Sequence, residues 1–146
     1  MLGILCRNLK SAPSKTKELG YKAHVRPVLE YASSVWDPHT RKEIEQIEKV
    51  QRRAARFVTN NYKRTDSVSD MIKKLRWQTL EQRRKKARLS MLYKIHTGQV
   101  HVEFNRLKRL KTRSGRRGNS EMYERVVCRT EHRNMTFLPK TIRDWK

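Results

Sequence analysis

The sequence lacks the features that mark secreted, disulfide-stabilised or membrane-spanning proteins. It has 2 cysteines among 146 residues, and they stand far apart, which is typical of reduced thiols in a reducing compartment. No apolar run approaches the 18 or so residues that span a membrane. The first nine residues are too short and too polar for a secretory signal. We therefore expect a nuclear or cytoplasmic protein that is not secreted.

Signatures of catalytic and metal sites are also missing. The sequence has no glycine-rich phosphate loop and no nucleophile elbow. Its aspartates are dispersed, whereas polymerase-type catalysis needs carboxylates that converge on two divalent ions about 4 Å apart. Cys128 and His132 have the spacing of half a zinc site, without a second half. We predict no catalytic residue, no metal site and no cofactor in this chain.

Acidic residues are scarce relative to basic ones. The chain has 36 Lys and Arg against 14 Asp and Glu, a formal net charge of +22. Self-repulsion of this size does not help a small domain to fold, so the excess indicates a polyanionic partner. Nucleic acid is the first candidate and an anionic membrane surface the second. The 36% of apolar residues suffices for one domain with a modest core.

The clearest helical pattern lies in residues 40–60. Apolar residues recur along one side at helical spacing: Ile44, Ile47, Val50, Ala54, Ala55, Phe57 and Val58. The other side is basic: Lys42, Lys49, Arg52, Arg53 and Arg56. Thr40 and Glu43 have the spacing of a capping box, which specifies where the helix begins. Taken alone, a charged face of this kind is usually only solvated.

Glutamates within the same helix bear on which of these cations are available. Two pairs have the favourable spacing of four residues, Glu45 with Lys49 and Glu48 with Arg52. Arg53 and Arg56 have no acidic partner at this spacing. We therefore expect these two arginines to be free to meet an anion.

A second basic cluster lies in a helix predicted to begin at the capping box of Thr79 and Gln82 and to end at Gly98. Its members are Arg83, Arg84, Lys85, Lys86 and Arg88. Consecutive cations at 100° per residue cover most of the helix circumference, so they cannot all lie on one solvated face. Some must point between neighbouring elements or toward a ligand. The competing interpretation is a nuclear localisation patch.

The other segments carry weaker patterns. Apolar residues share one helical face across residues 15–36, which indicates one helix kinked at Pro27 or two shorter helices that meet there. Residues 106–118 contain seven basic residues and no acidic one. Residues 126–128 and 135–138 could form short strands, and Pro139 could open a last turn.

We predict an all-α fold, a small amphipathic helical bundle with an irregular, basic C-terminal third. The predicted organisation is a helical domain over residues 1–100, a basic flexible linker over residues 101–121, and a small, truncated C-terminal segment over residues 122–146. Trp36 and Trp77 lie in apolar settings, so we interpret them as core anchors rather than base-stacking residues.

Four blocks resemble the region just after the catalytic palm in reverse transcriptases of non-LTR, LINE-type retrotransposons of the jockey-like group. They are LGYKAHVRPVLEYASSVWDP (19–38), IEKVQRRAARF (47–57), LRWQTLEQRR (75–84) and FLPKTIRDW (137–145). The blocks occur in the family's order and extend over most of the chain. The resemblance implies a thumb-like helical domain that grips template and primer behind the active site of an enzyme that copies RNA into DNA at a nicked target.

The sequence departs from the family in what it lacks. The palm signature with paired aspartates, the preceding endonuclease domain and the usual Asn-x-Leu-Pro ending are absent. The family's palm uses a divalent metal, Mg²⁺, which this chain alone is not expected to hold. We therefore expect a fragment of an RNA-directed DNA polymerase without its catalytic part.

The expected partners are RNA and DNA in a template-primer duplex, with no membrane and no small-molecule substrate. The expected phosphate contacts come from both basic clusters: Arg52, Arg53, Arg56, Arg83, Arg84, Lys85, Lys86 and Arg88. Two alternatives remain open. The chain could be an inactive retrotransposon remnant with no independent function, or a free-standing basic nucleic-acid-binding module.

Overall fold

Helix α5 (Arg41–Thr59) is the longest helix in the computed structural model, which describes residues 1–102 and 123–145. The hydroxyl oxygen of Thr40 accepts a hydrogen bond from the backbone N–H of Glu43 at 3.4 Å, as the capping box predicts. The helix ends at Asn60, whose φ of 51° is left-handed. The N–H of Asn61 then satisfies a carbonyl group of the last turn at 3.1 Å.

The described part of the chain is all-α, with no strand or sheet, which confirms the predicted fold class. The shorter elements include a π-helical turn (Tyr21–Val25) that directly precedes Arg26. Besides α5, the helices are α1 (Leu2–Asn8), α2 (Ser14–Gly20), α3 (Arg26–Glu30), α4 (Ser33–Trp36), α6 (Val68–Lys74), α7 (Leu80–His96), α8 (Glu131–Asn134) and α9 (Phe137–Asp144).

The chain divides into two compact units. The first unit comprises Met1–Ser33 and Pro38–Arg84, and the second comprises Ser34–Asp37 and Lys85–Lys146. This division differs from the predicted domains, because residues 85–100 group with the C-terminal segment rather than with the N-terminal helices. The predicted linker lies outside the described residues except for its first two positions.

The first unit is built around one side of α5. The predicted apolar side is confirmed, because four of its residues are buried and three are half-buried. The buried residues are Ala54, Ala55, Phe57 and Val58, and the half-buried ones are Ile44, Ile47 and Val50. Tyr21, Val25 and Ala54 form the centre of this core, and Trp77 packs against it. Gln51 of α5 is also buried, and its side-chain amide donates to the carbonyl oxygen of Gln78 at 2.9 Å.

The segment around Pro27 is one interrupted helix up to Glu30. Proline lacks the N–H that would donate to the preceding turn, and the π-helical turn comes just before it. The N–H of Arg26 there donates five residues back, to the carbonyl oxygen of Tyr21. The regular α-helix is therefore interrupted at the predicted position. The helix ends earlier than predicted, because Ala32 adopts a left-handed φ of 48° and α4 starts separately.

The two tryptophans assigned to the core have different outcomes. Trp77 stacks on Tyr21 with ring centroids 4.7 Å apart, and its indole N–H donates to Glu18 at 2.9 Å, which confirms it as a core anchor. The prediction for Trp36 was wrong, because this side chain is 41% exposed. The break at Ala32 ends the helical phase on which that prediction relied.

The second unit contains most of α7 together with α8 and α9. Its core consists of Leu92, Tyr123 and Ile142, against which Trp145 packs. The predicted strands were wrong: residues 126–128 are irregular, and residues 137–138 begin α9. Apolar positions 138, 142 and 145 have helical spacing, and this period outweighs the local strand preference. The C-terminal third is thus partly helical in its described residues.

Candidate nucleic-acid interface

The outer side of α5 carries a row of cations that projects away from the core. We call the α5 row Lys42, Lys49, Arg52, Arg53 and Arg56. Four of them are exposed, and Arg56 is half-buried. At 1.5 Å per residue, the row extends over ~21 Å along the helix. Because the opposite side of α5 is packed in the core, the backbone that carries the row is held in place.

The glutamates of α5 do not neutralise the row as predicted. Glu45 lies 3.4 Å from the guanidinium of Arg41 instead of pairing with Lys49. Glu48 accepts a hydrogen bond from the backbone N–H of Glu81 at 2.9 Å instead of pairing with Arg52. The backbone N–H groups in the first turn of a helix have no intrahelical partner. The Glu48 carboxylate therefore serves as an acceptor at the start of α7.

The exposed cations of the row therefore lack a counter-ion in the part of the chain that the structure describes. Within residues 1–102 and 123–145, Lys42, Lys49, Arg52 and Arg53 make no hydrogen bond or ion pair. Lys49 and Arg52 line a surface cavity of about 410 Å³ at the acidic edge of the row, which Glu45, Glu48 and Glu81 also line. Sequence reasoning left Lys42 and Lys49 out of the site, although their spacing from Arg53 places them on the same side of the helix.

Arg56 ties the end of the row to the loop that follows. Its guanidinium donates to the carbonyl oxygen of Lys63 at 3.1 Å. The side chain of Asn61 closes the same loop: it accepts from the N–H of Lys63 at 3.1 Å and donates to Asp66. The hydrogen bond from Asn61 is the main cause of a lowered pKa of Asp66. The loop thus presents Lys63 and Arg64, both exposed, beside the end of the row.

The second predicted cluster, Arg83, Arg84, Lys85, Lys86 and Arg88, lies on α7 and has a different environment; we call it the α7 cluster. Arg83 is half-buried and makes two hydrogen bonds to the carboxylate of Glu30, one of them at 3.0 Å. This bidentate contact raises the pKa of the Arg83 guanidinium. Arg84 is 1% exposed. These two residues belong to the first unit, and neither presents its guanidinium openly to solvent.

Two of the three members of the α7 cluster in the second unit form ion pairs with aspartates. Arg88 is 4% exposed and lies 3.3 Å from Asp37 and 3.1 Å from Asp144. Lys85 is more exposed and lies 3.2 Å from Asp144. Lys140 in α9 also contacts Asp37, at 2.5 Å. Two carboxylates and three cations thus form one internal network.

The structure therefore separates the eight predicted phosphate contacts by availability. Arg52 and Arg53 are open to solvent, and so is Lys86, which makes no ion pair within the described chain. Arg56 and Arg83 are half-buried, and Arg84 and Arg88 are buried. Lys85 is exposed but pairs with Asp144. The expectation that consecutive cations on α7 cannot share one solvated face is confirmed. Arg84 and Arg88 turn toward protein, whereas Lys86 remains available to a ligand.

Comparison of the chain with protein-family models, with curated proteins and with solved structures gave no match. In the part of the chain that the structure describes, no three His, Cys, Asp or Glu side chains are grouped so that they could hold a metal ion. The helices of that part are also too short or too polar to cross a membrane.

Proposed function

We propose that the chain binds a nucleic-acid duplex of template and primer, without reading its sequence, through the α5 row. In this proposal the chain is the thumb-like part of an RNA-directed DNA polymerase of a non-LTR retrotransposon, without the catalytic palm. The observation that carries the proposal is a set of four exposed cations on one side of a helix whose other side is packed in the core. None of the four has a counter-ion among residues 1–102 and 123–145.

The geometry of the row suits a phosphate backbone. Duplex DNA carries one negative charge per ~1.7 Å of helix axis, so a row of ~21 Å faces many phosphates at once. Helical cations are already positioned, and they lose less conformational freedom on binding than cations of a disordered chain. Contacts of this kind supply affinity but carry no sequence information.

The resemblance to post-palm segments of reverse transcriptases supports the choice of duplex. A thumb holds the product of synthesis by its backbone, because the sequence of that product changes with every template. The α5 row offers arginine and lysine, which recognise phosphate by charge and hydrogen bonding. This chemistry is the same for RNA–DNA hybrid and for DNA.

Fluorescence anisotropy with a short RNA–DNA hybrid tests the proposal. The α5 row together with Lys63 and Arg64 supplies about seven contacts, which predicts a slope near −6 for log affinity against log salt. Two hybrids of unrelated sequence should bind within about threefold of each other. A slope near zero, or strong preference for one sequence, would contradict the proposal, and absence of binding would favour an inactive remnant.

The purified chain should not synthesise DNA. Primer extension on an RNA template with Mg²⁺ or Mn²⁺ should give no product, because the paired aspartates of the family's palm are missing from the sequence. Restoring synthesis should require a separate palm-containing polypeptide. Extension by the chain alone, free of contaminating polymerase, would overturn the assignment as a non-catalytic fragment.

A further inference from the structure

The loop after α5 displays an aromatic side chain beside the α5 row. Tyr62 is 64% exposed, and among the described residues it makes no hydrogen bond and no ring contact. Lys63 and Arg64 follow it, and both are exposed. Single exposed aromatic residues are common on protein surfaces and need no explanation by themselves. The backbone around Tyr62 distinguishes it from such residues.

The loop that carries Tyr62 is anchored on both sides of this residue. Before it, the N–H of Asn61 donates to the carbonyl oxygen of Arg56 at 3.1 Å. After it, the carbonyl oxygen of Lys63 accepts from the Arg56 guanidinium at 3.1 Å. Consecutive Cα atoms are about 3.8 Å apart, so these bonds hold Tyr62 next to the last cation of the row.

We propose that Tyr62 is a stacking platform for an unpaired base, so that the site recognises the junction where a duplex gives way to a single strand. This inference rests on the proposed function and deepens it. The α5 row would hold the phosphates of the duplex. The ring of Tyr62 would cover the face of the first base beyond it.

Stacking on a tyrosine suits a site that does not read sequence, because every base has a π face. Such contacts depend on aromatic area and little on salt, whereas contacts of the row depend strongly on salt. A base inside an intact duplex is already stacked on its neighbours and has no free face to offer. The row therefore sets affinity for any duplex, and Tyr62 adds preference for an end with an overhang.

The experiment compares a blunt RNA–DNA hybrid with the same hybrid bearing a one-nucleotide overhang of 2-aminopurine. The variants are Tyr62→Ala, Tyr62→Phe and, as a matched control on α7, Tyr93→Ala, whose side chain is 54% exposed. Wild type should prefer the overhang by about tenfold and should quench 2-aminopurine fluorescence. Tyr62→Phe and Tyr93→Ala should retain both properties.

Tyr62→Ala should lose the preference and the quenching while its affinity for the blunt hybrid stays within about twofold of wild type. Circular dichroism should be unchanged, because the side chain is exposed. Equal binding of blunt and overhanging hybrids by wild type, or retained preference in Tyr62→Ala, would overturn this inference while the proposed function stands. Absence of binding to either hybrid would overturn both.

Discussion

The α5 row and the α7 cluster have the same number of cations in sequence and opposite environments in the structure. The row faces solvent, and its four exposed members have no internal counter-ion within the described residues. In the α7 cluster, Arg83 is bound to Glu30, and Arg88 is bound to Asp37 and Asp144. Basic residues close together in sequence therefore do not have equal access to an external polyanion.

The difference arises from the distant carboxylates that reach each helix. Glu30 is 53 residues from Arg83, and Asp144 is 56 residues from Arg88. On α5, Glu45 pairs with Arg41 and Glu48 turns to the start of α7. Among the described residues no carboxylate pairs with the four exposed members of the row, and the two nearest glutamates of α5 are engaged elsewhere. The α7 cluster, by contrast, contributes part of its charge to holding the fold.

The largest expected effect is on stability, from removal of a buried cation in the α7 cluster. Arg88→Met removes the cation that Asp37 and Asp144 share, while Lys140 and Lys85 stay beside them. Loss of these hydrogen bonds between charged groups should cost about 1.5–3 kcal/mol. Urea denaturation followed by circular dichroism and tryptophan fluorescence should show this loss. Lys86→Gln, which changes an exposed cation on the same helix, should change stability by no more than about 0.5 kcal/mol.

Equal stability of the Arg88→Met and Lys86→Gln variants would contradict the distinction between cations that hold the fold and cations that face solvent. It would mean that the contacts of Arg88 with Asp37 and Asp144 contribute nothing to the fold, and that this arginine is as available to a ligand as the exposed lysine. The two changes each remove one positive charge, so net charge cannot explain a difference between them.

The second expected effect concerns acid stability in the first unit. Glu18 receives hydrogen bonds from Lys22 and from the indole of Trp77, and these lower the pKa of its carboxyl below the ordinary value of 4.5. The folded state therefore binds the proton less readily than the unfolded state. Stability from this group is present above pH 4.5 and is lost as the pH falls through the lowered pKa.

Glu18→Gln removes this titrating group while keeping a hydrogen-bond acceptor. The gap in unfolding free energy between wild type and variant should be largest near neutral pH and should narrow below pH 4.5. Urea midpoints measured from about pH 6 to about pH 3 would show it. A gap that stays constant over this range would contradict the assigned role of Glu18.

The smallest expected effect is a gain in binding when an internal carboxylate is removed. Asp144→Asn should release Lys85, which is already partly exposed, while Arg88 keeps its contact with Asp37. One additional phosphate contact would steepen the salt slope by up to about 0.9. The matched control is Asp70→Asn, because Asp70 pairs with Lys73 only on the exposed surface, at 3.8 Å. Equal effects of the two changes would mean that only net charge matters.

Local sequence patterns were sufficient to predict the main helices. Thr79 and Gln82 make both hydrogen bonds of the predicted capping box, at 3.1 and 3.4 Å. Gly98 follows the end of α7 with a positive φ of 75°, as expected of a helix terminator. These features depend on residues within one or two turns of each other, so the sequence contains their determinants directly.

The errors concern features set by distant contacts or by single backbone torsions. Trp36 was assigned to the core because the left-handed torsion of Ala32 is not visible in a hydrophobic pattern. The sequence predicted that some members of the α7 cluster turn away from solvent, but it did not identify Arg84 and Arg88 as the buried ones. Which members turn inward depends on tertiary contacts, such as those of Arg88 with Asp37 and Asp144.

The central claim is that available cations, rather than total charge, determine where a duplex binds. The most direct test is a salt titration of duplex binding by two variants that each exchange two lysines and two arginines for glutamine. The first changes exposed members of the α5 row: Lys42, Lys49, Arg52 and Arg53. The second changes exposed cations elsewhere, which make no ion pair with described residues: Arg7, Lys10, Lys94 and Arg129.

Both variants lower the net charge by four, so they differ only in where the charge is removed. The row variant should lose about 3 to 4 units of the log-log salt slope, because each phosphate contact contributes about 0.9. The control variant should lose less than about 1 unit, with circular dichroism unchanged in both. Equal losses of slope in the two variants would contradict the claim and would show that the chain binds as a polycation without a defined interface.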